Sequence, residues 1–221
     1  MKTGVKKDKH RARRAEEHFG NAKTAIGHLE HGDHVFLVTR GQFGMIDVLL
    51  AILDQTGPAH VSIWVLAIAD WEVRVIDRMM EDKRILSAVL HCEHGMLSRK
   101  PQIIADWKAR FGEKSVKFVI SHAKIIRIWN DDWRVCVRGS CNLNNNPRYE
   151  QIDIDEGAPA FDLVARLEKE IPWSDGSNGR EVYAASGVGR AFQGVAKKRL
   201  FGKLALWESE GDGGGLKTWE N

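Results

Sequence analysis

The stretch from Ser121 to Gln151, SHAKIIRIWNDDWRVCVRGSCNLNNNPRYEQ, holds the side chains best suited to chemistry. His122 and Lys124 are two residues apart. On a strand, side chains two apart share a face. The imidazole and the ammonium are therefore expected side by side, with Ile126 and Ile128 continuing that face into a core. The polar turn Asn130-Asp131-Asp132 predicts a hairpin over 116–138. Its return passes through Val135 and Val137 to Gly139-Ser140-Cys141-Asn142. Ser140 and Asn142 again share a face, and antiparallel pairing brings them back beside His122 and Lys124. An imidazole can attack phosphorus or protonate a leaving oxygen near neutral pH. A lysine and an asparagine amide can hold non-bridging phosphate oxygens as charge builds up. Gly139 permits close backbone approach. Glu150 is a carboxylate able to hold the second imidazole nitrogen and fix its tautomer. Plainer readings stand beside these: His122 and Lys124 as a pair on an exposed strand edge, Ser140 and Asn142 as residues that end a hairpin.

HxK, then GSxN, then a downstream Glu resembles the HKD signature of the phospholipase D-like superfamily. The upstream run VSIWVLAIADWEVRVIDRMMEDKRILSAVL looks like the first strand, helix and second strand of that family, so the resemblance covers 35–170. It implies a phosphodiesterase that forms a covalent phosphohistidine, uses no metal or other cofactor, and brings two copies of the motif to one site. This chain carries one copy. The resemblance is thus to the small homodimeric bacterial endonucleases of the superfamily. It implies that His122 of one subunit attacks and His122 of the other protonates the leaving group. Lys124, Ser140 and Asn142 of both would bind phosphate, and Glu150 would orient a histidine. The family usually has Asp five residues after the motif lysine; here that position is Trp129, and Asp131 and Asp132 follow in the turn. The departure keeps open a second function, a phospholipase D-like protein that has lost turnover and grips nucleic acid. A lipid-directed phosphodiesterase is disfavoured by the single motif and the lack of an anchor.

These residues need elements to position them. Strands are expected at 35–39, 60–68, 84–90, 116–128, 133–138 and 151–154 from their apolar and β-branched runs. Helices are expected at 46–53 (ended by Gly57-Pro58), 71–82 (capped by Asp70), 100–111 (closed by Gly112) and 160–171 (ended by Pro172). Strands alternating with helices predict an α/β domain with a mixed, largely parallel central sheet flanked by helices. The expected organisation is a basic N-terminal arm over 1–33, helical from Arg11 to His18. A phospholipase D-like domain follows over 34–174. A flexible, glycine-rich C-terminal extension over 175–221 holds one basic amphipathic segment at 188–206.

The chain has 221 residues, 43% of them hydrophobic and 29% charged, enough to bury one core. The net charge is only +3, yet seven basic residues and one acidic residue lie between Lys2 and Arg14, and Lys197, Lys198, Arg199 and Lys203 form a second patch. Such patches suit a phosphate polymer or an anionic lipid surface, or are a plain solvated terminus; the expected partner is nucleic acid, DNA ahead of RNA. Apolar runs far shorter than ~20 residues predict no membrane span. The basic N-terminus has no apolar segment after it, so a cytoplasmic protein is expected. Cys92, Cys136 and Cys141 have no paired spacing and are read as free thiols. His28, His31 and His34, like His91, Cys92 and His94, lack the logic of a zinc site and are read as structural. Trp64 and Trp107 are expected in the core; Trp129 and Trp133 either pack on the hairpin or stack on a base.

Overall fold

The computed structural model describes residues 13–17 (backbone only), 21–143, 147–157 and 159–173, all within the compact unit Met1–Gly179. The residues expected to form the C-terminal extension, and 1–12 of the basic arm, lie outside the described residues.

In chain order the strands are β1 (Arg13–Glu17), β2 (His34–Thr39), β3 (Ala59–Val65), β4 (Ile85–Glu93), β5 (Val116–Val119), β6 (Ile125–Trp129), β7 (Arg134–Gly139) and β8 (Glu150–Glu156). The helices are α1 (Ala22–Ile26), α2 (Met45–Thr56), α3 (Asp70–Glu81), α4 (Met96–Arg99), α5 (Pro101–Phe111) and α6 (Pro159–Glu170). The strands form one sheet in the order β1-β2-β8-β7-β6-β3-β4-β5. The expected α/β class and mixed sheet are present. β6 and β8 run against the other strands, so pairing is parallel at the two margins and antiparallel from β2 through to β3. The expectation of a largely parallel sheet is corrected: four of the seven ladders are antiparallel, because β7 and β8 return by short connections where a parallel neighbour would need a long crossover.

A cross-strand row of apolar side chains makes the main core. Val35, Ile154, Val137, Ile126, Ile63 and Leu90 lie opposite one another in register, each under 2% exposed. Ile46, Leu49 and Ile52 of α2, Ile76 of α3 and Trp107 of α5 join them in one cluster. These residues recur at helical spacing, so each helix buries one stripe. α3 starts one residue earlier than expected. Its N-cap is Ala69, whose N–H donates to Glu72 at 2.9 Å, while Asp70 pairs with Arg74 on the surface.

Two further expectations are corrected. Arg13–Glu17 is a strand parallel to β2, not part of a helix, and α1 buries Ala22, Ala25 and Ile26, so regular structure begins before residue 34. A helix over 11–18 has no apolar stripe to bury, and pairing with β2 meets its backbone hydrogen bonds instead. The single strand expected over 116–128 is two strands. β5 pairs β4, β6 pairs β3 on its other side, and 120–124 is a connection. From β5 to β6 the chain must pass β4 and β3, about 14 Å at the usual strand spacing. Six residue steps reach about 20 Å, so residues 120–124 are long enough to cross the sheet end.

The second sheet face is covered in part by α6, and its residues are polar within otherwise apolar strands. Ser62, His91, Arg127 and Glu168 are all buried. Glu168 accepts from Ser62 Oγ at 2.5 Å and Trp64 Nε1 at 2.8 Å on one oxygen, and from the Arg127 guanidinium on the other. These donors hold its carboxyl below the usual range against the opposing effect of burial. Burial pushes the His91 imidazole down from 6.5 to about 4, despite the pull of Glu168. The folded state thus keeps this ring neutral, while an unfolded chain binds a proton below pH 6.5. Its contribution to stability is complete above pH 6.5 and is lost as pH falls towards 4, by about 3 kcal/mol. Denaturant titrations between pH 7 and 4 should show this slope in the wild type and a shallower one in His91→Leu.

Candidate functional site

The connection 120–124 crosses the edge of the sheet where β2, β3, β4, β5 and β7 all end. In open α/β sheets the carboxyl ends of the strands are where ligands bind. β6 and β8 begin at the same edge, so His122, Lys124, Ser140 and Glu150 gather there from three chain segments.

Lys124 is the anchor. Its carbonyl accepts from Gly139 N–H at 3.2 Å, which extends the β6–β7 ladder by one residue. Its side chain turns back on the connection. Nζ lies 2.9 Å from His122 Nδ1, 3.3 Å from Nε2 and 2.8 Å from the His122 carbonyl oxygen. Lys124 is only 6% exposed, whereas the His122 ring is open to solvent. Burial lowers the lysine's pKa, with Glu150 and Cys141 acting the other way. The sequence expectation that His122 and Lys124 share a strand face is corrected: both precede β6. Contact comes from the lysine side chain folding back, not from strand alternation.

Across the junction, Ser140 Oγ donates to the Glu150 carboxylate and accepts from Gln151 N–H at 3.0 Å. Gly139 is required by packing. A Cβ there would sit 2.6 Å from the Gln151 carbonyl oxygen. Gly139→Ala should therefore push β7 from β8, at a cost of about 1–3 kcal/mol, and shift Ser140 from Glu150. Thermal unfolding checks the first effect.

Asn142 is held from the other side. Its carbonyl accepts from Met45 N–H at 3.3 Å, and the Leu143 carbonyl accepts from Ile46 N–H at 3.1 Å, so the loop satisfies two free N–H groups of α2. The Asn142 side-chain oxygen is buried with no hydrogen-bond partner among the described residues. Cys141 is buried beside it, and burial pushes its thiol up to about 12, which leaves no thiolate to react. All three cysteines are free and buried.

The structure thus brings together Lys124, His122, Ser140 and Glu150, with Asn142 on the adjoining loop. It does not place Glu150 on the imidazole; the carboxylate bonds Ser140. Asp131 and Asp132 are exposed in the turn at the far end of the hairpin, about 15 Å along β6. Trp129, at that same end, packs beside His60 and Phe161, with the Arg127 guanidinium 4.5 Å from its ring. Trp133 stacks on His31 at 4.2 Å. Both tryptophans take the packing role.

The sequence matches no protein-family model and no curated protein.

One feature at this edge is not foreseen from the sequence. Thr39 pairs with Glu150, which brings Arg40 over the ring of Tyr149 at 5.1 Å, and that ring is 65% exposed. Their separation in sequence hides the pair; the only local signal is an aromatic and two cations in turn segments. The histidines weighed as metal ligands have structural partners: His34 Nε2 lies 2.6 Å from Asp153, and His91 stacks on Trp64 at 4.7 Å. No helix among the described residues is long and apolar enough to cross a membrane.

Proposed function

We propose that the chain is a metal-independent phosphodiesterase of the phospholipase D-like type, a nuclease that works through a phosphohistidine at a site shared by two subunits. The observation that carries this is the environment of Lys124. A buried ammonium is normally paired with an anion. Among the described residues its hydrogen-bond partners are a neutral carbonyl and the imidazole of His122. The Glu150 carboxylate acts on this ammonium through space without bonding it, and a phosphate would supply the direct anionic contact and lie against His122 when it does so.

The chemistry then needs one rearrangement. With Lys124 donating to Nδ1, that nitrogen carries a lone pair. Attack by Nε2 requires the proton on Nδ1. As phosphate draws Lys124 away, the ring is released to take that tautomer. Nε2 bonds to phosphorus and the ester oxygen leaves with a proton from the second subunit's His122. Water then cleaves the N–P bond and returns the proton. Lys124 and the Asn142 amide hold the oxygens on which charge grows. Ser140 is fixed by Glu150, so its oxygen stays aimed along the edge.

A second reading, a binding protein without turnover, is favoured by the bond between Glu150 and Ser140, since it leaves no carboxylate on the imidazole among the described residues. One experiment separates the two. Plasmid, single-stranded DNA and RNA are incubated with the protein in EDTA. Cleavage should persist in the chelator, because lysine and histidine replace a metal in stabilising charge, and sedimentation should show a dimer. A strict need for a divalent metal overturns the mechanism; binding without cleavage transfers the function to the second reading.

A further inference from the structure

The second sheet face, away from the histidine site, holds a cavity of about 370 Å³ between α6 and the strands β3, β4, β5 and β6. This is at the small end of the range for small-molecule sites. Its walls include the rings of Trp129 and Phe161, and Trp173 stands half exposed at its rim.

Its polar groups have uneven charge. Glu168 is saturated: both oxygens already accept, and Arg127 balances its charge. Lys117 remains. It is 7% exposed, donates to the Glu168 carbonyl oxygen at 2.6 Å, and lies 4.4 Å from the Trp173 ring centre. Neither partner is an anion. Lys169, exposed, adds a second cation to the lining.

His91 supplies the complementary group. Ser62 Oγ has one proton and donates it to Glu168. Its contact with His91 Nδ1 at 3.3 Å must therefore be donated by the ring. That fixes the proton on Nδ1 and leaves a lone pair on Nε2. Nε2 is buried and has no partner among the described residues, in a residue that is 1% exposed and lines the cavity. An orphaned buried acceptor is destabilising. Holding α6 in place requires the Glu168 network but does not require an unpartnered Nε2.

We propose that the cavity binds a small flat anion that carries a hydrogen-bond donor. The anionic group meets Lys117, the donor meets His91 Nε2, and the flat body lies along the wall that Trp129 and Phe161 form around the Arg127 guanidinium. This site is separate from the histidine edge and does not depend on the phosphodiesterase reading. The probes are 4-hydroxybenzoate and adenosine 5′-monophosphate, with benzyl alcohol as a neutral control and inorganic phosphate as an anion without a ring. Binding is measured by calorimetry and by the ¹⁵N resonances of the His91 ring.

At least one flat anion should bind with a millimolar or tighter Kd and move the Nε2 resonance. Binding should weaken at least tenfold in Lys117→Met, which keeps the buried chain length, and remain unchanged in His122→Ala. The same ring resonances in the free variant report whether the Ser62–His91 contact survives the substitution. The proposal is overturned if neither flat anion binds at 10-millimolar concentrations (roughly the limit set by a −3 kcal/mol interaction). It is equally overturned if phosphate or benzyl alcohol binds as well as they do, or if a folded Lys117→Met binds undiminished.

Discussion

His122→Ala should abolish phosphodiester cleavage, by about 10⁴-fold or more, while leaving the fold and the affinity for nucleic acid nearly intact. The ring is exposed and is not part of either apolar cluster, so its loss opens no cavity in the core. Its chemical loss is large, because the phosphoryl adduct forms on this imidazole in the proposed mechanism and the nearby Cys141 thiol, buried and raised to about 12, offers no thiolate in its place. Lys124→Ala should behave differently. It removes the ammonium that meets phosphate both before and during reaction, so binding and turnover fall together. The measurement is single-turnover cleavage beside binding by fluorescence anisotropy, with acid-quenched trapping of the covalent species. Equal cleavage by wild type and His122→Ala sinks the mechanism.

Glu168→Ala should be the most damaging substitution outside that site, with a loss of about 3–5 kcal/mol. The carboxylate is buried and receives Arg127, Ser62 and Trp64, which join β3 and β6 to α6. Its removal leaves the Arg127 guanidinium, 7% exposed, without an anion. Trp129 and Phe161 still flank that guanidinium at 4.5 Å and 4.6 Å, but rings do not replace a carboxylate for a desolvated charge. Arg127→Leu combined with Glu168→Leu should recover part of the loss, since the desolvation cost of the ion pair disappears while Ser62 and Trp64 Nε1 still lose their acceptor. Urea unfolding of the two single variants and the double variant measures the coupling. Additive losses would mean that the pair is held by its surroundings and not by its charge.

Part of the candidate site is legible locally. A strand and its antiparallel return bring His122, Lys124, Gly139, Ser140 and Asn142 to one place, and the β6–β7 register does join Lys124 to Gly139. The details differ where side-chain reach outweighs strand alternation. Lys124 has four methylenes and folds back on His122, which strand periodicity does not foresee. Glu150 is drawn to Ser140 because the β7–β8 register sets Ser140 against Gln151, the residue after Glu150 in the chain. The strand read over 116–128 was continuous in composition. Periodicity in the chain carries no information about which neighbours a strand will find, and β5 and β6 lie on opposite sides of the β3–β4 pair.

The amino-acid sequence by itself determined the α/β class, the main helices and strands, the burial of Trp64 and Trp107, and the clustering of the GSxN turn with HxK. All of these follow from interactions within a few residues or within one hairpin, where apolar spacing and turn chemistry act directly. Only the tertiary structure decided the parallel addition of β1 and the connection that sets His122 over the sheet edge. It alone assembled the second-face network, whose members Ser62, His91, Lys117, Arg127 and Glu168 are scattered over five elements. The four strand residues appear in the sequence as isolated polar residues in apolar runs, and Glu168 as one charge among several in α6. Burying such a group is costly until its partner arrives from elsewhere in the chain, and that pairing is settled by the packing of the whole sheet against α6.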